Sequence, residues 1–162
     1  MSAEEEEEIE RKFLVNLLPD LSAAHKTVIR QGYITRSDDS VEVRLRQKAD
    51  QYFLTVKSGE GLVRGEIEIE IDQTQFEALW PNTQGRRIEK ERWTGSLTDK
   101  LQYELDVFQA ALTSLMLVEV EFDSTQQADS FQPPRWFGSE VTFDKQYKNK
   151  SLATNPQLIE PG

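Results

Sequence analysis

The chain has 162 residues, 29 acidic against 19 basic side chains for a formal charge of −10, no cysteine and a single histidine, His25. These counts exclude disulfides, a cysteine nucleophile, a thiolate metal site and a histidine-rich zinc site, so any bound metal must rest on oxygen ligands. The acidic balance also argues against a general surface for wrapping nucleic acid, which needs a cationic footprint, while leaving room for a local basic pocket.

Residues 1–8 form an acidic run rather than a positively charged leader followed by an apolar stretch, and no apolar run approaches membrane-spanning length. The expectation is a soluble, cytoplasmic protein with no membrane partner. The length suits one domain over 1–162, with a core at about 5–153 between the acidic start and a loose C-terminal tail.

Along the chain, charged and apolar residues alternate with a period of two, the pattern of strands. It predicts strands at about 6–15, 27–36, 41–48, 51–58, 63–71, 86–94, 101–108 and 116–123. Turn-forming residues separate them, at Ser37-Asp38-Asp39-Ser40, Ala49-Asp50-Gln51, Ser58-Gly59-Glu60-Gly61 and Thr94-Gly95-Ser96. Short connections of this kind join antiparallel neighbours. Helices are few: 74–80, with an apolar face from Phe76, Leu79 and Trp80 ending before Pro81, and shorter segments at 21–25, 125–131 and 147–153.

Residues two apart share a strand face, so the alternation can be sorted without knowing the fold. The first strand groups Glu8, Glu10 and Lys12, and the third groups Glu42, Arg44, Arg46 and Lys48. The fifth groups Arg64, Glu66, Glu68 and Glu70, while Lys57 shares a face with Phe53 and Thr55. Later strands pair Lys90 with Arg92, Glu104 with Asp106, and Glu119 with Glu121. Ordinary antiparallel sheets have one wet face, which accounts for any single strand. Two details go further: Arg44 and Arg46 repel unless an anion lies between them, and acid pairs at two-residue spacing suit hard divalent cations. If these faces converge, about seven cations and eight carboxylates share an interior too charged to pair off dry, and a polyanion with metal is the ligand that would use both. Parity does not say whether the faces turn inward.

The run Glu8-Ile9-Glu10-Arg11-Lys12-Phe13-Leu14-Val15 carries an ExExK signature. It is followed in order by Gln31-Gly32-Tyr33, Val43-Arg44-Leu45-Arg46, Leu54-Thr55-Val56-Lys57 and Arg64-Gly65-Glu66-Ile67-Glu68. Glu89-Lys90-Glu91-Arg92, Glu104-Leu105-Asp106-Val107-Phe108, Leu117-Val118-Glu119-Val120-Glu121 and Trp136-Phe137-Gly138-Ser139-Glu140-Val141-Thr142 complete the series. Over about 5–153 the chain resembles the triphosphate tunnel metalloenzymes of the CYTH superfamily, and among them the small bacterial proteins acting on inorganic tripolyphosphate.

The resemblance implies a mainly β (α+β) fold, an eight-stranded antiparallel β-barrel tunnel with a charged interior and a few outer helices. It implies that Lys12, Arg44, Arg46, Lys57, Arg64, Lys90 and Arg92 hold the phosphate chain. Glu8, Glu119 and Glu121 would hold an activating Mg²⁺ or Mn²⁺, with Glu10, Glu66, Glu68 and Asp106 near a second ion or the attacking water. Glu10, Glu68 and Lys57 are the catalytic candidates. The activity implied is hydrolysis of the terminal phosphoryl group of tripolyphosphate by a monomer or homodimer. Alternatives on the same fold are a nucleoside or thiamine triphosphatase or an adenylate cyclase, and outside catalysis a polyphosphate-binding module. His25 is expected at the surface, Tyr33 in packing or at the substrate, and Trp80, Trp93 and Trp136 in the core or rim. Lys145, Lys148 and Lys150 are expected on a closing helix or facing water.

Overall fold

The structure, a computed structural model, describes residues 8–58, 65–98 and 100–156. Among the described residues nine strands and three short helices follow one another: β1 (Ile9–Val15), β2 (His25–Tyr33), β3 (Val41–Lys48), β4 (Gln51–Ser58), β5 (Gly65–Ile71), α1 (Gln73–Leu79), β6 (Arg87–Ser96), β7 (Gln102–Phe108), β8 (Met116–Phe122), α2 (Thr125–Ser130), β9 (Phe137–Glu140) and α3 (Asn149–Thr154). This is the mainly β class expected from the alternation. Among the described residues no helix is long and apolar enough to cross a membrane.

Contacts divide the chain into two compact units: a first of 1–26, 92–107 and 116–144, and a second of 27–91, 108–115 and 145–162. In the first unit the strands run in the order β6, β7, β8, β1, β9. One face of β1, β7 and β8 is apolar apart from Arg11, and Phe13, Tyr103, Leu105, Val118, Val120, Phe122 and Phe137 bury together there. Helix α2 packs over β1 and β8, capped by the Ser124 hydroxyl, which accepts the Gln127 N–H at 3.1 Å.

In the second unit the order is β5, β4, β3, β2, β6. Strands β3 and β4 pair from Val41↔Ser58 to Lys48↔Gln51, so their turn is only Ala49-Asp50. Such tight hairpin loops demand positive φ, and Ala49 adopts φ 55 with its N–H anchored on the Val28 carbonyl at 3.0 Å. Helix α1 lays Phe76 against Leu45, Tyr52 and Trp80. Its start is a reciprocal cap: Asp72 accepts the Gln75 N–H at 2.7 Å, and the Gln75 side chain accepts the Asp72 N–H at 3.0 Å.

The structure departs from the sequence expectations in four places. A ninth strand, β9, joins the eight, because four residues containing Gly138 give no readable alternation. The segment 21–25 is a turn closed by Asp20 accepting the Ser22 N–H at 3.0 Å, and His25 already opens β2, where it is exposed. Strand β2 stops at Tyr33 rather than at 36, because Arg36 and Asp39 close a turn, the Arg36 N–H reaching the Asp39 carboxylate at 2.6 Å. After α1 the chain passes through Pro81 in a 3-10 turn, a place where a missing N–H costs little. The candidate site residue Arg64, like 59–63, lies outside the described residues.

Candidate active site

On the first unit the ExExK strand meets β8 with its acids opposed. Glu10 pairs with Glu121 and Lys12 with Glu119 across the β1–β8 ladder, and Glu104 pairs with Glu119 across β7–β8. Like charges facing one another on adjacent strands destabilise the sheet unless a cation intervenes. Lys12 supplies one, its ammonium 3.3 Å from Glu119 Oε1. The remaining carboxylates crowd a recess of about 280 Å³ lined by Glu10, Glu104, Glu119, Glu121 and Asp123. Burial first, then the charge and hydrogen bond of Glu119, push the Glu10 carboxyl up to about 7, with Lys12 pulling the other way. A carboxyl in this range exchanges its proton near neutral pH.

Arg92 and Asp106 occupy the same unit and are locked to each other. The guanidinium donates to both Asp106 oxygens, at 2.9 and 3.1 Å, and reaches Glu104 at 3.1 Å. Burial opposes the Arg92 charge, but Asp106 and Glu104 outweigh it and hold the guanidinium above its usual range. Glu8 precedes β1 and is exposed.

The possible ligand atoms of the recess are mostly carboxylate oxygens, the chemistry that hard divalent cations prefer. Among the described residues no three acidic or histidine side chains already stand close enough to cage an ion. The residues therefore fit such a cation in type and charge, and their side chains would have to swing inward to complete the coordination.

On the second unit the basic residues gather on one face of β3 and β4. Arg44 pairs with Tyr33 of β2 and Thr55 of β4, Arg46 with Gln31 and Phe53, and Lys57 with both Glu42 and Glu66. The face is built on buried polar residues: Thr55 is fully buried, Gln31 nearly so, and the Gln31 amide donates to the Tyr33 hydroxyl at 3.1 Å. Burial raises the Tyr33 phenol above its usual range. The Arg44 Nε is buried with no hydrogen-bond partner, a donor whose desolvation costs about 1–3 kcal/mol until an acceptor arrives. Lys90 is also buried, its ammonium 5.4 Å from the Phe108 ring centre. Glu66 and Glu68 are exposed on β5, and Thr55 donates to Glu68 at 3.4 Å. Lys150 of α3 reaches Glu42 at 2.9 Å.

A family profile described as the CYTH domain matches residues 6–131. The chain belongs to the CYTH family. Among relatives, an inorganic triphosphatase of Nitrosomonas europaea is 59% identical over 146 residues, 90% of this chain and 96% of that protein. An inorganic triphosphatase of Acetivibrio thermocellus is 35% identical over 151 residues, 92% of this chain and 94% of that one. A crystal structure of an inorganic triphosphatase superposes with a TM-score of 0.85 at 54% identity, covering 96% and 97% of the two chains. The CYTH assignment and the fold expected from the ExExK resemblance are therefore correct.

Within this CYTH chain, three polar side chains lining the recess were not singled out from sequence: Lys100, Gln102 and Asp123. Asp123 was legible, continuing the Glu119/Glu121 period by two residues. Lys100 was not, because it sits in a turn at φ 64, where alternation carries no information.

Proposed function

We infer that the chain is a metal-dependent inorganic triphosphatase, cleaving tripolyphosphate to orthophosphate and pyrophosphate. The observation that carries this reading is 59% identity, across 96% of its length, to an enzyme named for that activity. The carboxylate recess and the cationic face supply the charge types the reaction needs.

Water attacks the terminal phosphorus, the bond to the bridging oxygen breaks, and the leaving pyrophosphate takes the electron pair. Divalent metal, Mg²⁺ or Mn²⁺, would neutralise charge on the phosphate oxygens. Glu119, Glu121 and Glu8 would hold it, with Glu10, Glu66, Glu68 and Asp106 serving a second ion or the water. Glu10, whose carboxyl lies at about 7, is our candidate to accept the proton of the attacking water, with Glu68 the alternative, and Lys57 is a catalytic candidate as a cation on the phosphate chain. Lys12, Arg44, Arg46, Lys57, Arg64, Lys90 and Arg92 would grip the phosphate chain, arginines by their planar forks and lysines as point charges. The buried, unpartnered Arg44 Nε supports that role, since a phosphate oxygen would satisfy it.

The reading takes 1–162 as one functional domain, supported by a family match that runs through residues of both units. It places the protein in the cytoplasm as a monomer or homodimer, with a small phosphate compound as partner and neither nucleic acid nor membrane. The formal charge of −10 supports the exclusion of nucleic acid.

The test is phosphate release from tripolyphosphate, ATP and thiamine triphosphate with Mg²⁺ or Mn²⁺, with and without chelator, and an assay for cyclic AMP. Metal-dependent release fastest from tripolyphosphate is expected. Faster turnover of ATP or thiamine triphosphate, or formation of cyclic AMP, contradicts the substrate, and binding without turnover contradicts the enzyme.

A further inference from the structure

Strand β1 carries Glu10 and Lys12 on its charged face and Ile9, Arg11 and Phe13 on the other, where Arg11 is out of place by pattern. Its guanidinium lies 5.2 Å from the Phe13 ring centre and 5.9 Å from that of Phe131, in apolar surroundings. Its donors are directed at β9 and α2. Nε and Nη2 grip the two Glu140 oxygens at 2.9 and 2.7 Å, and Nη1 donates to the Ala128 carbonyl at 2.8 Å.

Thr142 extends this contact to the signature itself. Its hydroxyl donates to Glu140 Oε2 at 2.6 Å and accepts the backbone N–H of Lys12 at 3.0 Å, while the Val141 N–H donates to the Lys12 carbonyl at 2.8 Å. The backbone of the last signature residue is thus held at both its N–H and its C=O. The regular β1–β9 pairs are Val15↔Phe137 and Phe13↔Glu140, so Leu14 alone on β1 opposes both Gly138 and Ser139 on β9. That extra residue is a bulge, a device that re-aims side chains beside functional sites. Gly138 lies within it, and a Cβ there would stand 3.2 Å from the Leu14 carbonyl carbon and oxygen, closer than ordinary contact.

We propose that Arg11, Glu140 and Thr142 form a clamp that positions Glu10 and Lys12 from behind, making these three positioning residues of the hydrolase. The clamp faces away from the recess and touches neither metal nor substrate. Its action follows from strand geometry: fixing Arg11 and the Lys12 backbone fixes the direction of Glu10 and Lys12 on the opposite face. The mutual repulsion of Glu10, Glu119 and Glu121 pushes β1 and β8 apart; the Arg11 bond to the Ala128 carbonyl of α2, a helix packed on both strands, opposes that push, while the bidentate Glu140 pair fixes the guanidinium's direction. The proposal rests on the metal-holding reading of the recess.

The experiment compares wild type, Thr142→Val, Thr142→Ser, Glu140→Gln and Glu121→Gln for half-activating Mn²⁺, KM at saturating metal, and melting temperature. Thr142→Val should raise the half-activating Mn²⁺ by about tenfold or more while changing KM much less, and Thr142→Ser should restore the wild-type value. If Thr142→Val does not fold, Glu140→Gln, which keeps shape and loses charge, should show the same shift. Wild-type metal dependence in a folded Thr142→Val or Glu140→Gln protein, with only a lowered melting temperature, overturns the clamp. If Glu121→Gln is also unaffected, or wild type needs no metal, the reading of the recess fails and the clamp fails with it.

Discussion

Glu10 faces Glu121 across the β1–β8 ladder and shares a hydrogen bond with Glu119, and its carboxyl is raised from an ordinary 4.5 to about 7. The folded state therefore binds a proton that the unfolded chain has already released between these two values. Stability from this group is full below about 4.5 and is lost as pH rises through about 7. In metal-free buffer the melting temperature should fall as pH rises across that window, and Glu10→Gln should flatten the slope; an unchanged slope in the variant would contradict the assignment. Glu140 runs the opposite way: the Arg11 hydrogen bonds hold its carboxyl below the usual range, so its contribution is present above the unfolded value and lost on acidification. Two glutamates of one unit thus oppose each other in pH dependence because one is buried beside acids and the other is held by an arginine. Sequence parity sorted Glu10 onto a strand face but read no strand around Glu140, and Arg11 and Glu140 lie 129 residues apart, so no local pattern links them.

At the scale of elements, legibility followed the length and purity of the alternation. Strands β3 and β4 fall at 41–48 and 51–58 as expected, because β3 alternates without interruption, β4 is rich in aromatic and β-branched residues, and the two-residue turn fixes their register. Strand β9 was missed for want of length, and the 21–25 turn was mistaken for a helix because three small residues, Ser22, Ala23 and Ala24, mimic one. Parity also fixed which face Arg92 and Asp106 occupy but not that they grip each other, since lateral pairing depends on register between distant strands. Gly32 in β2 shows what close approach requires: an added Cβ would stand 2.6 Å from that of Thr83. Thr83 is fully buried, donates to the Trp80 carbonyl at 2.7 Å and accepts from Arg87 Nε at 2.9 Å, so it has little freedom to retreat. Gly32→Ala should cost about 1–3 kcal/mol, read as a lower urea midpoint at constant m; an unshifted midpoint would mean that Thr83 moves freely.

For the molecule as a whole, a formal charge of −10 coexists with a face of arginines and lysines on the second unit, while the recess carboxylates lie on the first. Composition therefore argued only against a general nucleic-acid surface, while the adjacent like charges of Arg44 and Arg46 pointed to a local anion. The central claim is that the crowded carboxylates of the recess exist to hold divalent cation for phosphate hydrolysis. Its most direct measurement is Mn²⁺ binding, followed by electron paramagnetic resonance, to wild type and to a Glu119→Gln, Glu121→Gln double variant. Wild type should bind Mn²⁺, and the double variant about tenfold or more weaker with loss of phosphate release from tripolyphosphate. Equal Mn²⁺ affinity in the two proteins, with hydrolysis retained, would contradict it.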